Sequence, residues 1–357
     1  MDGSAEQTPS AALTAGTRLG KYQIVRLIGE GGMGAVYEGV HLAIGKKVAI
    51  KVMRPALAAN LDARARFLRE AQLTSRVRHP HAVDVTDVGS EAGQTFLVME
   101  YLDGEDLASY IEWRGRLPLE QAADFMLAVA AAVAAAHDEG IVHRDLKPHN
   151  IFLSQTRDGT IVPKVVDFGI SKGLPDLPDL PPDPGSALVM SPLVKTTVGL
   201  MGTPGYLSPE QIEGTRAAGA ASDQYGLGII LYECVTGRRP FGDDDGVTTI
   251  FDDIVKGNRT PADQLRPDLP DGLQQIIDRA TSRDPAERFP SVRALGKELL
   301  PFASPKAALT WANTFSDAPL PGVVPPLPAP RRLFGRWLAA AAAALAAASA
   351  LGWWLLR

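Results

Sequence analysis

Residues 143–150 are His143-Arg144-Asp145-Leu146-Lys147-Pro148-His149-Asn150, and residues 167–169 are Asp167-Phe168-Gly169. Asp145 offers a carboxylate that can orient a hydroxyl group, and Lys147 offers a cation that can neutralise a phosphate. Asn150 and Asp167 offer an amide oxygen and a carboxylate, which are hard ligands suited to Mg²⁺. Taken singly, each residue is more typical of a capped turn or a solvated surface. The ordered set predicts a site for phosphoryl transfer.

The composition limits the classes of protein to consider. At 357 residues and 45% hydrophobic content, the chain is long enough for two domains or one large two-lobed domain. Its net charge of −5 gives no general attraction to nucleic acid, so no nucleic-acid partner is expected. The single cysteine, Cys234, lies in the apolar run 225–235, which predicts a buried helix and an unreactive thiol. Residues 1–20 lack a signal peptide's apolar run and are expected to form a flexible leader.

The region from residue 21 to residue 55 predicts an antiparallel β structure, with strands over 22–28, 35–39 and 47–52. Gly29, Gly31 and Gly34 have the GxGxxG spacing that Rossmann domains also use, although there the motif opens a helix. Because a strand follows here, we expect the backbone N–H groups of the turn to close over phosphate oxygens. An ordinary glycine hairpin is the alternative for this motif alone.

Lys51 ends the segment Val48-Ala49-Ile50-Lys51, a predicted strand that is otherwise suited to burial. An unpaired buried ammonium group is costly, so Lys51 is expected to have partners. The candidates are nucleotide phosphates and Glu70, which lies on a helix predicted over 62–77. A surface position is the default for either residue alone, but their order after the glycine turn favours the functional interpretation.

The rest of the chain is predicted to be mainly helical. A short strand over 96–101 is followed by helical patterns through residue 300, including a helix that begins at Asp223. The alanine-rich segment 125–136 is too short to cross a membrane and is expected to be a buried core helix. Residues 174–184 are too rich in proline for a helix or a central strand, so a loop is predicted there. Residues 303–330 are predicted to be an extended Pro/Ala-rich linker.

These motifs, in this order, resemble those of the Hanks-type protein kinases, and specifically the bacterial serine/threonine kinases. The resemblance covers about residues 21–302 and includes the stretch Gly-Thr-Pro-Gly-Tyr-Leu-Ser-Pro-Glu at 202–210. It implies an α+β, two-lobed protein kinase fold. The N-lobe, 21–101, would be β-rich with one helix, helix C, and the C-lobe, 102–302, would be mainly α-helical. ATP would bind between them with Mg²⁺, for which Mn²⁺ can substitute, and residues 167–210 would form the activation loop.

The resemblance also implies a role for each matching position. Catalytic roles would fall to Asp145, Lys147, Lys51 and Glu70, metal binding to Asn150 and Asp167, and structural roles to Thr203, Glu210, Asp223 and Arg288. Met99 would be the gatekeeper, Glu100 and Leu102 would offer hinge backbone groups to adenine, and Asp106 would lie near the ribose. The full set implied for ATP is Ile28, Gly29, Gly31, Gly34, Val36, Ala49, Lys51, Met99, Glu100, Leu102, Asp106 and Phe152.

Lys147 and Thr203 resemble the pattern of kinases specific for serine and threonine, and the segment ending at Glu210 resembles a platform for a protein substrate. Autophosphorylation is expected at Thr196 or Thr197, and a homodimer would allow it in trans. Two alternatives are a pseudokinase that serves as a binding scaffold and a kinase for small molecules. The retained catalytic residues argue against the first alternative, and the platform argues against the second.

The C-terminal region predicts a membrane anchor. Residues 338–356 contain no charged side chain, arginines flank the run on both sides, and Trp337 and Trp353-Trp354 lie near its ends. Its length is sufficient for a bilayer core, so a single transmembrane helix is predicted over 337–356 in the inner (plasma) membrane. Under the positive-inside rule the kinase domain would be cytoplasmic, in a protein of bacterial signal transduction. A soluble alanine-rich helix is the alternative.

Overall fold

The N-terminal half of the fold is built on an antiparallel sheet with the strand order β1-β2-β3-β4-β6-β5. The computed structural model describes residues 13–32, 34–58, 60–91, 93–168, 204–214, 219–242 and 246–316. The strands of this sheet are β1 Arg18–Leu19, β2 Tyr22–Glu30, β3 Gly34–His41, β4 Lys47–Met53, β5 Val85–Glu91 and β6 Gln94–Glu100. The predicted β-rich N-lobe is therefore confirmed.

Two helices separate β4 from β5, α1 (Pro55–Ala58) and α2 (Leu61–Thr74). Asn60 caps α2 because its side-chain oxygen accepts hydrogen bonds from the backbone N–H groups of its first turn. Phe67 and Ala71 on α2 pack in one apolar cluster with Met53 and Leu97 of the sheet. This packing fixes the face of α2 that carries Glu70. The helix ends at Thr74, somewhat before the predicted end.

A smaller antiparallel sheet begins the C-lobe, with the strands β7 (Gly104–Asp106), β8 (Ile151–Gln155) and β9 (Ile161–Val165). Its central strand β8 pairs with both β7 and β9. The residues that precede β8 therefore lie close to those that follow β9. The stretch 143–150 runs directly into β8 through a short 3₁₀ turn, Pro148–Asn150. Asp167 follows β9. The second sheet thus brings together two motifs that are separate in the sequence.

The rest of the C-lobe is helical, as predicted. Its helices are α3 Leu107–Arg114, α4 Leu119–Asp138, α5 Pro209–Ile212, α6 Ala220–Thr236, α7 Val247–Lys256, α8 Ala262–Leu265, α9 Asp271–Ala280, α10 Val292–Leu299 and α11 Pro305–Trp311. Among the described residues, α4 alone is long and apolar enough to cross a membrane by length and composition. Most of its side chains are buried against the other helices, which agrees with the predicted core helix.

Two predicted boundaries are wrong. The leader was expected to extend to residue 20, but β1 pairs with β2 and Leu19 is buried. The extended linker was expected from residue 303, but helix α11 follows at once and Phe315 is buried in the core of the C-lobe. Proline is tolerated in the first turn of a helix, so Pro305 does not prevent α11, and its apolar face stabilises it. Residues 1–12, the insertion 174–184, the linker from 317 and the predicted transmembrane helix 337–356 lie outside the described residues.

Candidate active site

Lys51 lies at the centre of the site, on the buried strand β4. Its Nζ is 2.7 Å from Oδ1 of Asp167 and 3.9 Å from Oε1 of Glu70. The three residues come from a strand, helix α2 and the segment after β9, so only the tertiary fold brings them together. The sequence predicted Glu70 as a partner of Lys51, and the structure adds Asp167 as the nearer one.

The charges in this group stabilise one another. Burial lowers the pKa of Lys51, but the negative charges of Asp167 and Glu70 outweigh burial and raise the pKa above 10.5. Burial raises the pKa of Asp167, but the charge of Lys51 and its hydrogen bond lower that pKa below 3.8. Lys51 is therefore a cation and Asp167 an anion at neutral pH, as phosphate and metal binding require.

The stretch that carries Asp145 has an unusual backbone, which buried side-chain bonds hold in place. Arg144 has a φ of 64° and Asp167 a φ of 52°, a left-handed conformation that costs free energy for residues other than glycine. The carboxylate of Asp223, on α6, accepts hydrogen bonds from the backbone N–H groups of His143 and Arg144, each at 2.8 Å. It also lies 2.7 Å from Nε2 of His137. These bonds connect α6 to the backbone of the stretch 143–150 and hold it in place.

Asp145, Lys147 and Asn150 lie side by side. The Nζ of Lys147 is 3.3 Å from Oδ2 of Asp145. The Nδ2 of Asn150 donates to the backbone oxygen of Asp145 at 2.7 Å and to its Oδ2 at 3.2 Å. Because both bonds use the amide nitrogen, they orient Asn150 so that its Oδ1 is the atom left for a cation. The side chain of Asp167 is 47% exposed, so its carboxylate is also accessible, and the pair fits the hard ligands that Mg²⁺ needs.

The predicted platform is braced by a buried ion pair. Arg288 donates from both terminal nitrogens to the two carboxylate oxygens of Glu210, each at 2.8 Å. Ser222 donates a further hydrogen bond to Glu210 at 2.7 Å. Both members of the pair are almost fully buried, so solvent does not screen the interaction.

Gln211 is a site residue that the sequence analysis missed. Its Nε2 donates to the backbone oxygen of Arg144 at 2.9 Å, which joins the platform to the stretch that carries Asp145. Its Oε1 accepts from the backbone N–H and the hydroxyl of Ser208, both at 3.1 Å. A serine followed by a glutamine three residues later is the sequence signature of a helix capping box, and this signal could have indicated the contact.

An apolar cluster lies where adenine was expected. Ala49 and Met99 are buried in it, with Val36 and Leu102 packed against them. The side chain of Glu100 accepts from the backbone N–H of Asp84 and from Lys164. Its own backbone N–H donates to the backbone oxygen of Asp84 at 2.9 Å, so the predicted hinge role would fall to its carbonyl oxygen.

The position predicted near the ribose also has a structural partner. The carboxylate of Asp106 caps helix α3 through the backbone N–H and the hydroxyl of Ser109, each at 3.0 Å. Asp106 pairs with Phe152 across β7 and β8, which brings these two predicted contacts together. Ile28 lies on β2 and is 40% exposed. The Asp106 carboxylate therefore accepts hydrogen bonds from Ser109, in addition to its predicted role at the ribose.

The three glycines of the GxGxxG motif are not equivalent, and Gly29 and Gly34 lie on β2 and β3. A Cβ at Gly29 would meet no atom within 4 Å, and one at Gly31 would approach only a backbone oxygen at 3.9 Å. A Cβ at Gly34 would lie 2.0 Å from the backbone oxygen of Val52 on the neighbouring strand. Gly34 is therefore required by strand packing, whereas the open space at Gly29 and Gly31 is compatible with a close approach of phosphate oxygens. The predicted phosphosites Thr196 and Thr197, and the predicted structural Thr203, lie outside the described residues.

The model of the protein kinase domain family matches residues 22–300. The chain belongs to the protein kinase family. The match spans both lobes and contains every described residue of the site, so the family shows the two-lobed fold and its ATP-dependent class of chemistry. This confirms the resemblance found in the sequence.

Similar proteins are bacterial serine/threonine-protein kinases. PrkC of Bacillus subtilis is 38% identical over 270 residues, which cover 76% of this chain and 38% of PrkC. PknA of Mycobacterium tuberculosis is 36% identical over 315 residues, covering 87% of this chain and 65% of PknA. The chain thus spans between about a third and two thirds of the length of these relatives. A crystal structure of the M. tuberculosis PknI kinase domain is 28% identical with a TM-score of 0.60, covering 82% of this chain and 100% of that one.

Proposed function

We propose that this protein is a membrane-anchored serine/threonine protein kinase that transfers the γ-phosphoryl group of ATP to protein substrates. The observation that carries the proposal is the position of Lys51, 2.7 Å from Asp167 and 3.9 Å from Glu70. Asp145, Lys147 and Asn150 form a connected group beside it. A scaffold without catalysis would not need these charged residues to be kept together.

Each residue can be given a part in the transfer. Lys51, held by Glu70, binds the phosphates, and Asp145 orients the acceptor hydroxyl and accepts its proton. Lys147 stabilises the negative charge that develops on the transferred group. Asn150 and Asp167 would hold Mg²⁺, which would neutralise the negative charge of the phosphates.

The substrate class is supported by two features. The relatives are named serine/threonine-protein kinases, and Lys147 stands at the position that resembles theirs. The segment from Pro204 to Glu210 is tied to Arg144 through Gln211, so a peptide docked on it would lie next to Asp145. A protein serine or threonine is therefore the proposed acceptor.

Anchoring and regulation are proposed from the sequence. The uncharged run 338–356 is long enough for one membrane crossing, and the arginines before it favour a cytoplasmic kinase domain. Two copies confined to one membrane meet more often, which favours autophosphorylation in trans at Thr196 or Thr197. These features would place the kinase in a bacterial signalling pathway.

The test of catalysis uses the purified full-length chain with Mg-ATP and casein as a generic acceptor. Asp145→Asn and Lys51→Met are each expected to lower the rate by at least about 10²-fold, because positioning and electrostatics supply most of this catalysis. Lys47→Met is the matched control, since Lys47 lies on the same strand with its side chain 66% exposed. Phosphoamino-acid analysis should find phosphoserine and phosphothreonine. A wild-type protein that binds ATP without transferring phosphate would favour a pseudokinase instead.

A further inference from the structure

Trp311, the last residue of α11, contacts His79 and His81, which lie between α2 and β5. Its ring centroid is 6.0 Å from that of His79, with the planes 27° apart, and 5.2 Å from that of His81, with the planes 62° apart. The two histidine rings are themselves 5.7 Å apart. A tryptophan outside the predicted kinase domain thus packs on a segment inside it.

The segment that contains these histidines connects two parts of the active site. Residues 75–84 join α2, which carries Glu70, to β5. The backbone oxygen of His81 accepts from the N–H of Val165 at 2.7 Å, and the N–H of Val83 donates to the oxygen of Val165 at 2.9 Å. Because Val165 ends β9, two residues before Asp167, a shift of this segment would move both acidic partners of Lys51.

Helix α11 is held firmly enough to act as a support. The backbone N–H and the hydroxyl of Ser304 donate to the carboxylate of Asp124 on α4, at 2.8 and 2.7 Å. Beyond the helix, Phe315 is 1% exposed, and a Cβ at Gly296 would lie 2.4 Å from its ring. Trp311 therefore lies between two residues that are fixed in the C-lobe, Ser304 and Phe315.

The contact is an aromatic one between uncharged rings. Burial lowers the pKa of His79 to about 4, helped by the positive charges of Arg293 and Lys164. Burial also lowers the pKa of His81, whose Nδ1 lies 2.7 Å from the backbone oxygen of Pro163 on β9. Ring packing of this kind stabilises a contact beyond the area that it buries.

We propose that Trp311 is a positioning residue for phosphoryl transfer, which acts by holding residues 75–84 against β9 and so fixes Glu70 and Asp167 around Lys51. This proposal rests on the kinase function proposed above. Trp311 does not touch the reacting groups, and its effect is transmitted through His79, His81 and Val165.

The experiment uses full-length protein brought to the same phosphorylation state, as checked by intact mass. Trp311→Ala removes the ring, Trp311→Leu keeps an apolar side chain without it, and Trp311→Phe keeps a smaller ring. Leu309→Ala is the control, because Leu309 lies on the same helix and is 80% exposed. The measurements are kcat, KM for ATP and amide hydrogen exchange, with melting temperature as the check on folding.

We expect Trp311→Ala and Trp311→Leu to lower kcat/KM by about 2- to 30-fold, the range for residues that act through a packed network. Trp311→Phe should restore most of the loss, and Leu309→Ala should change nothing. Exchange should accelerate at the amides of Val83 and Val165 but not in α6. If Trp311→Ala does not fold, Trp311→Leu decides the result.

Wild-type kinetics in a folded Trp311→Leu protein would overturn the proposal, as would a uniform rise of exchange throughout the protein. An inactive wild type would contradict the kinase function instead. In that case the exchange at Val83 and Val165 still decides whether Trp311 holds the segment. The two failures are therefore distinguishable.

Discussion

At the scale of single residues, Gly34 and Gly29 belong to one glycine motif but lack a side chain for different physical reasons. Gly34→Ala is expected to lower the free energy of unfolding by about 1–3 kcal/mol, because its Cβ would meet the backbone of Val52 at 2.0 Å. Gly29→Ala should leave the stability nearly unchanged and raise KM for ATP. Urea unfolding and ATP kinetics of the two variants test this. Equal losses of stability would contradict it.

The buried ion pair between Arg288 and Glu210 leads to a second prediction at this scale. Arg288→Met leaves Glu210 buried without its main partner, and we expect it to lower the free energy of unfolding by about 3–5 kcal/mol. Lys256→Met is the control, since its i,i+4 pair with Asp252 is more than half exposed and is expected to contribute little to stability. Denaturant unfolding measures both. Comparable effects in the two variants would show that the buried pair does not brace the platform.

The same pair predicts how stability depends on pH. Burial raises the pKa of Glu210, but hydrogen bonds from Arg288 and Ser222 outweigh it and hold the pKa below 4.5. Because the folded pKa is depressed, the stabilisation is complete above about pH 4.5 and is lost as the pH falls through the folded pKa. Unfolding free energies between pH 7 and pH 3 should fall less steeply for Glu210→Gln than for the wild type.

At the scale of elements, the segment between Asp167 and Pro204 is the predicted switch. A phosphate on Thr196 or Thr197 would provide an anion for Arg144, next to Asp145, and for Lys172. The double variant Thr196→Ala/Thr197→Ala is expected to show several-fold lower activity than the wild type after both are incubated with Mg-ATP. Peptide mass spectrometry before and after phosphatase treatment identifies the modified residue. Full activity of the double variant would exclude both threonines as required switches.

At the scale of the whole molecule, two truncations are expected to behave differently. Removing residues 331–357 should release the protein from membranes without lowering its intrinsic rate, because the predicted anchor is separate from the kinase domain. Removing residues 303–357 should also destabilise it by about 3–5 kcal/mol, because Phe315 leaves the core. The full-length protein and the two truncated proteins are compared by membrane fractionation with carbonate washing, by denaturant unfolding and by kinase assays. Full-length protein that washes off would contradict the anchor.

Much of this molecule follows from local sequence signals. The glycine turn, the strand that ends near Lys51 and the apolar helix around residues 125–136 were predictable, because their spacing and composition act over a few residues. The order of the motifs was also sufficient for the family, and the roles of Asp145, Asn150 and Asp167 remain predictions. These features depend on the chemistry of residues close together in the chain.

What the sequence alone could not decide are the contacts between distant segments. The 2.7 Å contact of Lys51 with Asp167, the hydrogen bond from Gln211 to Arg144 and the packing of Trp311 on His81 each join separate elements. The apparent linker at 303–316 is a docked helix because the C-lobe offers Phe315 a buried site. Such contacts depend on how elements pack in space, and the periodicity of a single segment carries no information about the surface that will cover it.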